Sequence, residues 1–142
     1  MGMYPTKEET IKYAAENRKY KPKVLLATKL YARLKPWRGT EDEQWDKLRI
    51  YCTMMNEAYR NDVFLVRDAN YHGEGCFNLA THKITMSKVS VITFMHEYAH
   101  SLGKDEHEAV KWSLCLFKRI FKKSFSNIEF EGHMARKVVK DV

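Results

Sequence analysis

The sequence has 142 residues, of which 44% are hydrophobic and 30% charged. A chain of this length and composition is expected to fold as one globular domain, residues 1–142, with a core of its own. No run of about 18 apolar residues occurs, so we expect neither a transmembrane helix nor a membrane partner.

The formal net charge is +7, and lysines and arginines are densest within residues 118–123 and 136–140. A basic surface can attract nucleic acid or acidic partners. No nucleic-acid module and no interleaving of aromatic with basic residues accompanies these groups, so we expect them to form solvated helix faces. The net charge is therefore the only feature of the sequence that supports nucleic acid as a partner.

The cysteines and the start of the chain favour a cytoplasmic location. Cys52, Cys76 and Cys115 are odd in number and widely spaced, which suits a reducing cytoplasm better than a disulfide framework. Residues 1–7 lack the apolar core of a secretory signal. We expect Cys52 and Cys115 to pack inside helices rather than to bind a metal.

Three helices are predicted before residue 60. They span residues 6–20, 24–34 and 40–59, and the first and third begin with a capping box, in which a Thr and a Glu side chain accept hydrogen bonds from each other's backbone N–H groups. The capping pairs are Thr6 with Glu9 and Thr40 with Glu43. Apolar residues recur every three or four positions along the third helix, which predicts a face packed on the core. These residues are Trp45, Leu48, Cys52, Met55 and Tyr59.

Short strands are predicted over residues 63–66, 76–79 and 84–86. Residues 68–75 form a loop rich in turn residues, and residues 80–83 join the last two strands. We expect these strands to form a small antiparallel meander.

The next helix is predicted from Lys88 or Ser90 to Leu102, and Gly103 ends it as a C-cap glycine. It contains the motif H-E-x-x-H at residues 96–100. A chain with 6 His and 12 Glu would contain this motif by chance in roughly 2% of shuffled sequences, so its surroundings matter. Apolar side chains cover nearly the whole circumference of this helix. Two histidines and a glutamate among them would be costly to bury unless they bind something.

The spacing of the motif suits a metal ion. His96 and His100 lie one helical turn apart on the same face, so both imidazoles can reach one metal. Glu97 follows the first histidine and can hold a water that the metal activates. H-E-x-x-H is the helix-borne zinc signature of metallopeptidases, and catalytic zinc sites keep three protein ligands and one open position. A third ligand is therefore expected elsewhere in the chain.

Four residues just after Gly103 are candidates for the third ligand: Asp105, Glu106, His107 and Glu108. A further helix is predicted from Asp105 to about Phe121, and a chain reversal at Gly103 would bring its first turn back to the metal. Asp105 suits the helix cap, and Glu108 suits a solvated acid in the first turn. His107 stays open beside Glu106, because imidazole is the commoner zinc ligand.

The remaining histidines are expected to be loop or surface residues: His72, His82 and His133. Tyr71 and Tyr98 could donate a hydrogen bond to an oxyanion, although Tyr98 lies inside the helix and is expected in the core. In the tail, residues 127–130 are predicted to be extended and residues 132–140 to form a short helix.

H-E-x-x-H with Gly103 three residues later resembles the zincin metallopeptidases. H-E-x-x-H-x-x-G is similar to the opening of the metzincin signature, whose third ligand, His or Asp, lies three residues after the glycine, at Glu106 here. The stretch from Glu106 to Ser113 also resembles the glutamate helix of ImmA/IrrE-type and other gluzincin-like peptidases. Those families separate the two helices by much more chain, and Val110 stands where they often have an acid. Both resemblances favour Glu106 as the third zinc ligand, with His107 as the alternative.

This resemblance covers residues 75–121 and implies an α+β fold. The expected architecture is a compact zincin-like domain with N-terminal helices, a small antiparallel sheet, and an active-site helix followed by a second helix. The implied activity is that of a zinc metallopeptidase, with Glu97 as general base and then general acid. By the same resemblance, residues 84–86 would form the cleft-edge strand that pairs with a protein or peptide substrate.

Two other functions are compatible with the sequence. One is a catalytically silent zincin-fold protein that binds a protein or nucleic acid. The other is a SprT-like protease acting near DNA, with which the net charge is compatible. No paired cysteines of a zinc ribbon accompany the domain, which argues against the SprT-like alternative.

Overall fold

The computed structural model describes residues 2–131 and 134–137. Within this part the chain forms six helices and five strands, which confirms the α+β class. The helices are α1 (Lys7–Ala14), α2 (Pro22–Arg33), α3 (Glu41–Tyr59), α4 (Val91–Ser101), α5 (Glu106–Ile120) and α6 (Lys122–Phe125). The strands are β1 (Phe64–Arg67), β2 (Cys76–Asn78), β3 (Lys83–Met86), β4 (Ile128–Glu131) and β5 (Met134–Lys137).

Four of the helices begin with a side chain that accepts a hydrogen bond from a backbone N–H of the first turn. These caps are Thr6, Thr40, Ser90 and Asp105. Both predicted capping boxes, at α1 and α3, are confirmed. The helix α2 has no such cap and starts instead with Pro22, whose fixed φ angle and missing N–H suit a first helical position.

The helix α1 ends at Ala14, well before the predicted end at residue 20. The chain beyond it hydrogen-bonds to α5 instead of continuing the helix. Lys118 Nζ donates to the carbonyl oxygen of Glu16 at 2.7 Å, and Tyr20 donates its hydroxyl to the carbonyl of Trp112 at 2.6 Å. The first contact gives the carbonyl of Glu16 a partner outside a helix, and the second fixes the side chain of Tyr20 against α5.

The central sheet is mixed, with strand order β1-β3-β2. β2 pairs with β3 antiparallel, as predicted, but β1 pairs with β3 parallel, so the expected antiparallel meander is wrong. The strand predicted to lie at the cleft edge, residues 84–86, is therefore the central one, and β2 lies at the edge beside the metal motif. Alternation of buried residues in β3 identifies a strand, but it does not identify the strand's neighbours.

The core lies between the sheet and the helices α2 to α5. The predicted inner face of α3 is confirmed: Trp45, Leu48, Cys52 and Met55 are buried, although Tyr59 is only partly so. From α4 come Phe94, Met95 and Tyr98, each fully buried. Burying a large apolar side chain contributes roughly 1.5–3 kcal/mol, so this core fixes α4 firmly and with it the motif it carries.

The chain after α6 forms a hairpin of β4 and β5. The expected extended segment at residues 127–130 is confirmed over Ile128–Phe130, but residues 134–137 form a strand, so the predicted short helix is wrong there. A short isolated helix is only marginally stable in water, whereas pairing with β4 holds this segment in a hairpin. His133 and the rest of that predicted helix lie outside the described residues. In the part of the chain that is described, no helix has both the length and the apolar character needed to cross a membrane.

Candidate metal centre

A tight turn joins α4 to α5 and folds the second helix back against the first. Gly103 has φ +85°, the left-handed conformation that favours glycine after a helix. Asp105 then caps α5 by accepting a hydrogen bond from the N–H of Glu108 at 2.9 Å, which confirms its predicted role. The first turn of α5 consequently faces the motif on α4.

Three side chains converge where the two helices meet. Glu106 places one carboxylate oxygen 2.7 Å from Nε2 of His100 and the other 3.1 Å from Nε2 of His96. The two Nε2 atoms are 3.2 Å apart. In a tetrahedral zinc site with bonds of about 2.0–2.1 Å, ligand atoms lie about 3.3 Å from one another. The donor types suit a zinc ion, and the three separations lie slightly below this value, so a small outward movement of the side chains would admit the ion.

A backbone carbonyl holds the ring of His100. Nδ1 of His100 lies 2.8 Å from the carbonyl oxygen of Lys104, in the turn between α4 and α5. A carbonyl can only accept, so this bond places the proton of a neutral imidazole on Nδ1 and leaves the lone pair of Nε2 directed at Glu106 and His96. An imidazole fixed in this way is ready to bind a metal.

Glu97 lies beside the convergent group. Its Oε1 accepts a hydrogen bond from the backbone N–H of Phe77 in β2 at 3.0 Å, and its Oε2 is 3.9 Å from Nε2 of His96. Donor atoms of His96, Glu97 and His100 all lie within 4.8 Å of one another. The edge strand thus positions one oxygen of this carboxylate, while the other faces the side chains of His96, His100 and Glu106.

The two carboxylates of the site differ in their pKa values. Burial raises the pKa of Glu97 above its usual value and the nearby Glu106 adds to the rise, although His96 and His100 oppose both. Burial also disfavours the charged form of Glu106, but the hydrogen bond from His96 and the proximity of both imidazoles outweigh it, so its pKa is lowered. The better proton acceptor of the pair is consequently Glu97.

His107 does not face the other two histidines. Its Nδ1 lies 2.8 Å from the hydroxyl of Tyr13 in α1, and its Nε2 lies 2.8 Å from the carbonyl oxygen of Gly2. Both ring nitrogens are therefore engaged by the N-terminal part of the chain. Of the two candidates left open by the sequence, the structure brings Glu106 to the histidine pair.

The remaining candidates lie apart from this centre. Glu108 forms a surface ion pair with Arg18 at 3.1 Å. His72 is exposed, as expected, but His82 is partly buried, with Nδ1 2.7 Å from an oxygen of Asp62. Tyr98 is confirmed as a core residue.

A pocket of about 690 Å³ opens over the centre. Its walls come from the loop before β2, from α4 and from α5, and Tyr71 lines it. Burial raises the pKa of Tyr71, and the neighbouring Cys76 and Glu97 add to the shift, so this hydroxyl stays protonated and able to donate. The pocket has room for a peptide side chain beside the convergent group.

Gly75 allows the loop to approach α4 closely. A Cβ at this position would lie 2.8 Å from Thr93 Cγ2 and 3.5 Å from Glu97 Cγ, so a larger residue would push the loop away from the helix. The sequence marked this glycine only as part of a turn. The sequence did not predict the hydrogen bond from Phe77 to Glu97 or the one between His100 and the carbonyl of Lys104. Both use backbone groups, which are nearly the same in every residue type.

Comparisons of the chain with protein-family models, with curated proteins and with solved structures give no match. What the centre can do is therefore inferred from its own chemistry.

Proposed function

We propose that this protein is a zinc-dependent peptidase. The observation that carries the proposal is the approach of Glu106 to within 2.7 and 3.1 Å of the Nε2 atoms of His100 and His96. Two imidazoles and one carboxylate form a donor set typical of catalytic zinc, which leaves one coordination position for water or substrate. The side chains of all three are about four-fifths buried, so binding an ion would offset the cost of placing them there.

A zinc ion held by His96, His100 and Glu106 would act as a Lewis acid on a peptide carbonyl and lower the pKa of water toward neutrality. The chain itself supplies the proton transfer. Glu97 has one oxygen fixed by the N–H of Phe77 and the other free toward the centre, and its raised pKa suits a general base. In this role it accepts a proton from the attacking water and delivers it to the leaving amine.

The substrate strand would pair with β2 rather than with β3. Among the described strands, β3 has neighbours on both sides, whereas β2 has one on a single side. Cys76 and Phe77 of β2 also line the pocket over the centre. An extended peptide added to this free edge would run past Glu97.

Metal analysis of purified variants tests the donor set. Wild-type protein and His107→Ala, each reconstituted with zinc and dialysed, are expected to retain about one ion per chain, whereas Glu106→Ala is expected to lose it. Full retention in Glu106→Ala would contradict the assignment. Loss in His107→Ala alone would assign the third ligand to the histidine.

Hydrolysis is tested separately with a library of internally quenched peptides. We expect zinc-loaded protein to cleave members of the library and a chelator to stop it, with recovery when zinc is added back. A protein that retains zinc but cleaves no peptide would instead match the catalytically silent binding function.

A further inference from the structure

A second concavity lies at the opposite end of α5, between the α1–α2 connection, α2 and the start of α6. It encloses about 610 Å³. Five of its eight lining residues are cations: Arg18, Lys29, Lys118, Arg119 and Lys122. None of the lining residues, all within the described part of the chain, is acidic. This concavity is called the basic groove below.

Four of these cations keep their charge unneutralised. Arg18 forms an ion pair with Glu108. Lys118 and Arg119 donate instead to neutral acceptors, the carbonyl oxygens of Glu16 and Arg18. Among the described residues, no carboxylate forms an ion pair with Lys29, Lys118, Arg119 or Lys122. Four positive charges brought together without a counter-charge repel one another and favour binding of an anion.

We propose that the basic groove binds the phosphodiester backbone of nucleic acid. Lysine and arginine side chains donate to phosphate oxygens, and neutralising several phosphates is enough for binding. Five of the eight lining residues are cations and only two, Cys115 and Ile120, have apolar side chains, so charge is the main feature that the groove presents to a partner. Among the described residues that line the groove, none is aromatic and able to stack on bases, so binding is expected to be independent of sequence and to depend on salt.

The basic groove is separate from the candidate metal centre. Lys118 follows Glu106 by twelve residues on the same helix, which at 1.5 Å per residue places the two about 18 Å apart along its axis. A bound nucleic acid would hold the protein at a site without entering the pocket over the metal ligands. Its binding is therefore expected to be independent of zinc and of peptide hydrolysis.

The test measures binding of a fluorescently labelled, mixed-sequence DNA duplex by anisotropy over a series of salt concentrations. With four phosphate contacts, the logarithm of the association constant is expected to fall with a slope of about −3 to −4 against the logarithm of salt concentration. The double variant Lys29→Glu and Lys122→Glu is expected to reduce that slope by about 2 and the affinity by at least about tenfold. Both side chains are exposed, and neither forms a hydrogen bond or an ion pair with another residue in the part of the chain that the structure describes.

The matched control is the double variant Lys83→Glu and Lys88→Glu, which makes the same charge change at exposed lysines outside the groove. The proposal holds if only the groove variant loses DNA binding while both variants keep the unfolding midpoint and zinc content of wild type. If both variants lost the same amount of DNA affinity, the loss would follow from net charge alone, and the proposal would be overturned. A poly-glutamate competitor that displaces the duplex at equal charge concentration would overturn it in favour of an acidic protein partner.

Discussion

The two ends of α5 carry opposite charges, and the charged side chains at each end have different partners. At the N-terminal end, Glu106 is mostly buried and lies against His96 and His100 at hydrogen-bonding distance. At the other end, Lys118 and Arg119 lie in a groove without a carboxylate partner among the described residues. The helix dipole favours acids first and bases last, so it explains the sign at each end. The dipole does not explain why Glu106 lies against two other side chains inside the fold, whereas Lys118 and Arg119 lie in an open groove.

That difference indicates two kinds of ligand. Convergent, largely buried donors with separations near 3 Å would suit a small cation, which can contact all three at once. Cations grouped along an open groove would instead suit an extended anion that several of them can contact at once. One helix would thus connect the two proposed sites, and variants at each end can test whether the sites are independent.

The largest effect is expected from Glu97→Gln. The amide keeps an oxygen to accept the N–H of Phe77, but it cannot take a proton from water, so the rate of peptide hydrolysis should fall roughly 10²–10⁴-fold. Zinc content, measured on the same sample, should be unchanged. The control Glu108→Gln removes a surface carboxylate near the start of α5 and should leave the rate as it is. A Glu97→Gln variant with the wild-type rate would exclude this residue as the base.

A smaller effect, on the free energy of unfolding, is expected from Gly103→Ala in the turn that brings Glu106 to α4. Apart from the adjacent residues, no atom of the described chain lies within 4 Å of a Cβ built there, so the cost comes from the backbone, whose φ is +85°. Left-handed geometry costs an alanine about 1–2 kcal/mol, which chemical denaturation would detect as a lower free energy of unfolding. Asparagine tolerates this geometry better, so Gly103→Asn should lose less. If both variants lost the same free energy of unfolding, backbone strain at residue 103 would not be the cause of the loss.

Features that depend on neighbours in sequence could be predicted. The i, i+4 spacing of His96 and His100, the capping side chains and the stop at Gly103 all follow from residues a few positions apart. The turn at Gly103 then limits the third ligand to a few residues, and only the family resemblances favour Glu106 over His107. What separates them is Tyr13 and the carbonyl of Gly2, which bind His107 from about a hundred residues away.

Features that depend on distant pairing could not be predicted in the same way. The hydrophobic pattern identified three strands near the site but not that β3 lies between the other two. The sequence therefore predicted residues 84–86 as the edge strand of the cleft, whereas in the structure β2 lies at that edge. This error also hid the hydrogen bond between Phe77 and Glu97, because a backbone donor can be placed only once the sheet order is known. The basic residues near residue 120 were noticed in sequence, but their grouping with Arg18 and Lys29 depends on how α2 packs beside α5.

Asp105→Ala should lower stability by about 1 kcal/mol, because the N–H of Glu108 loses its cap. Thr40→Ala removes an equivalent cap from α3 and should cost a similar amount. The two variants are expected to differ in zinc affinity, which should weaken in Asp105→Ala alone, since Glu106 directly follows the lost cap. Titration with a competing chelator would measure this difference. Equal zinc affinity in the two variants would show that the cap does not help to position the ligand.

The smallest effect is expected at the C-terminal end of α5, where the two lysines of the groove differ in their contacts. Lys118 donates to the carbonyl of Glu16 at 2.7 Å, which ties the segment after α1 to α5, whereas no such bond involves Lys122 among the described residues. Lys118→Met should therefore lower the free energy of unfolding by about 0.5–1 kcal/mol, and Lys122→Met should leave it unchanged. Both variants remove one positive charge, so both should weaken DNA binding. If Lys118→Met reduced stability but not DNA binding, Lys118 would serve only to hold the α1–α2 connection, and the groove would bind phosphate through its other cations.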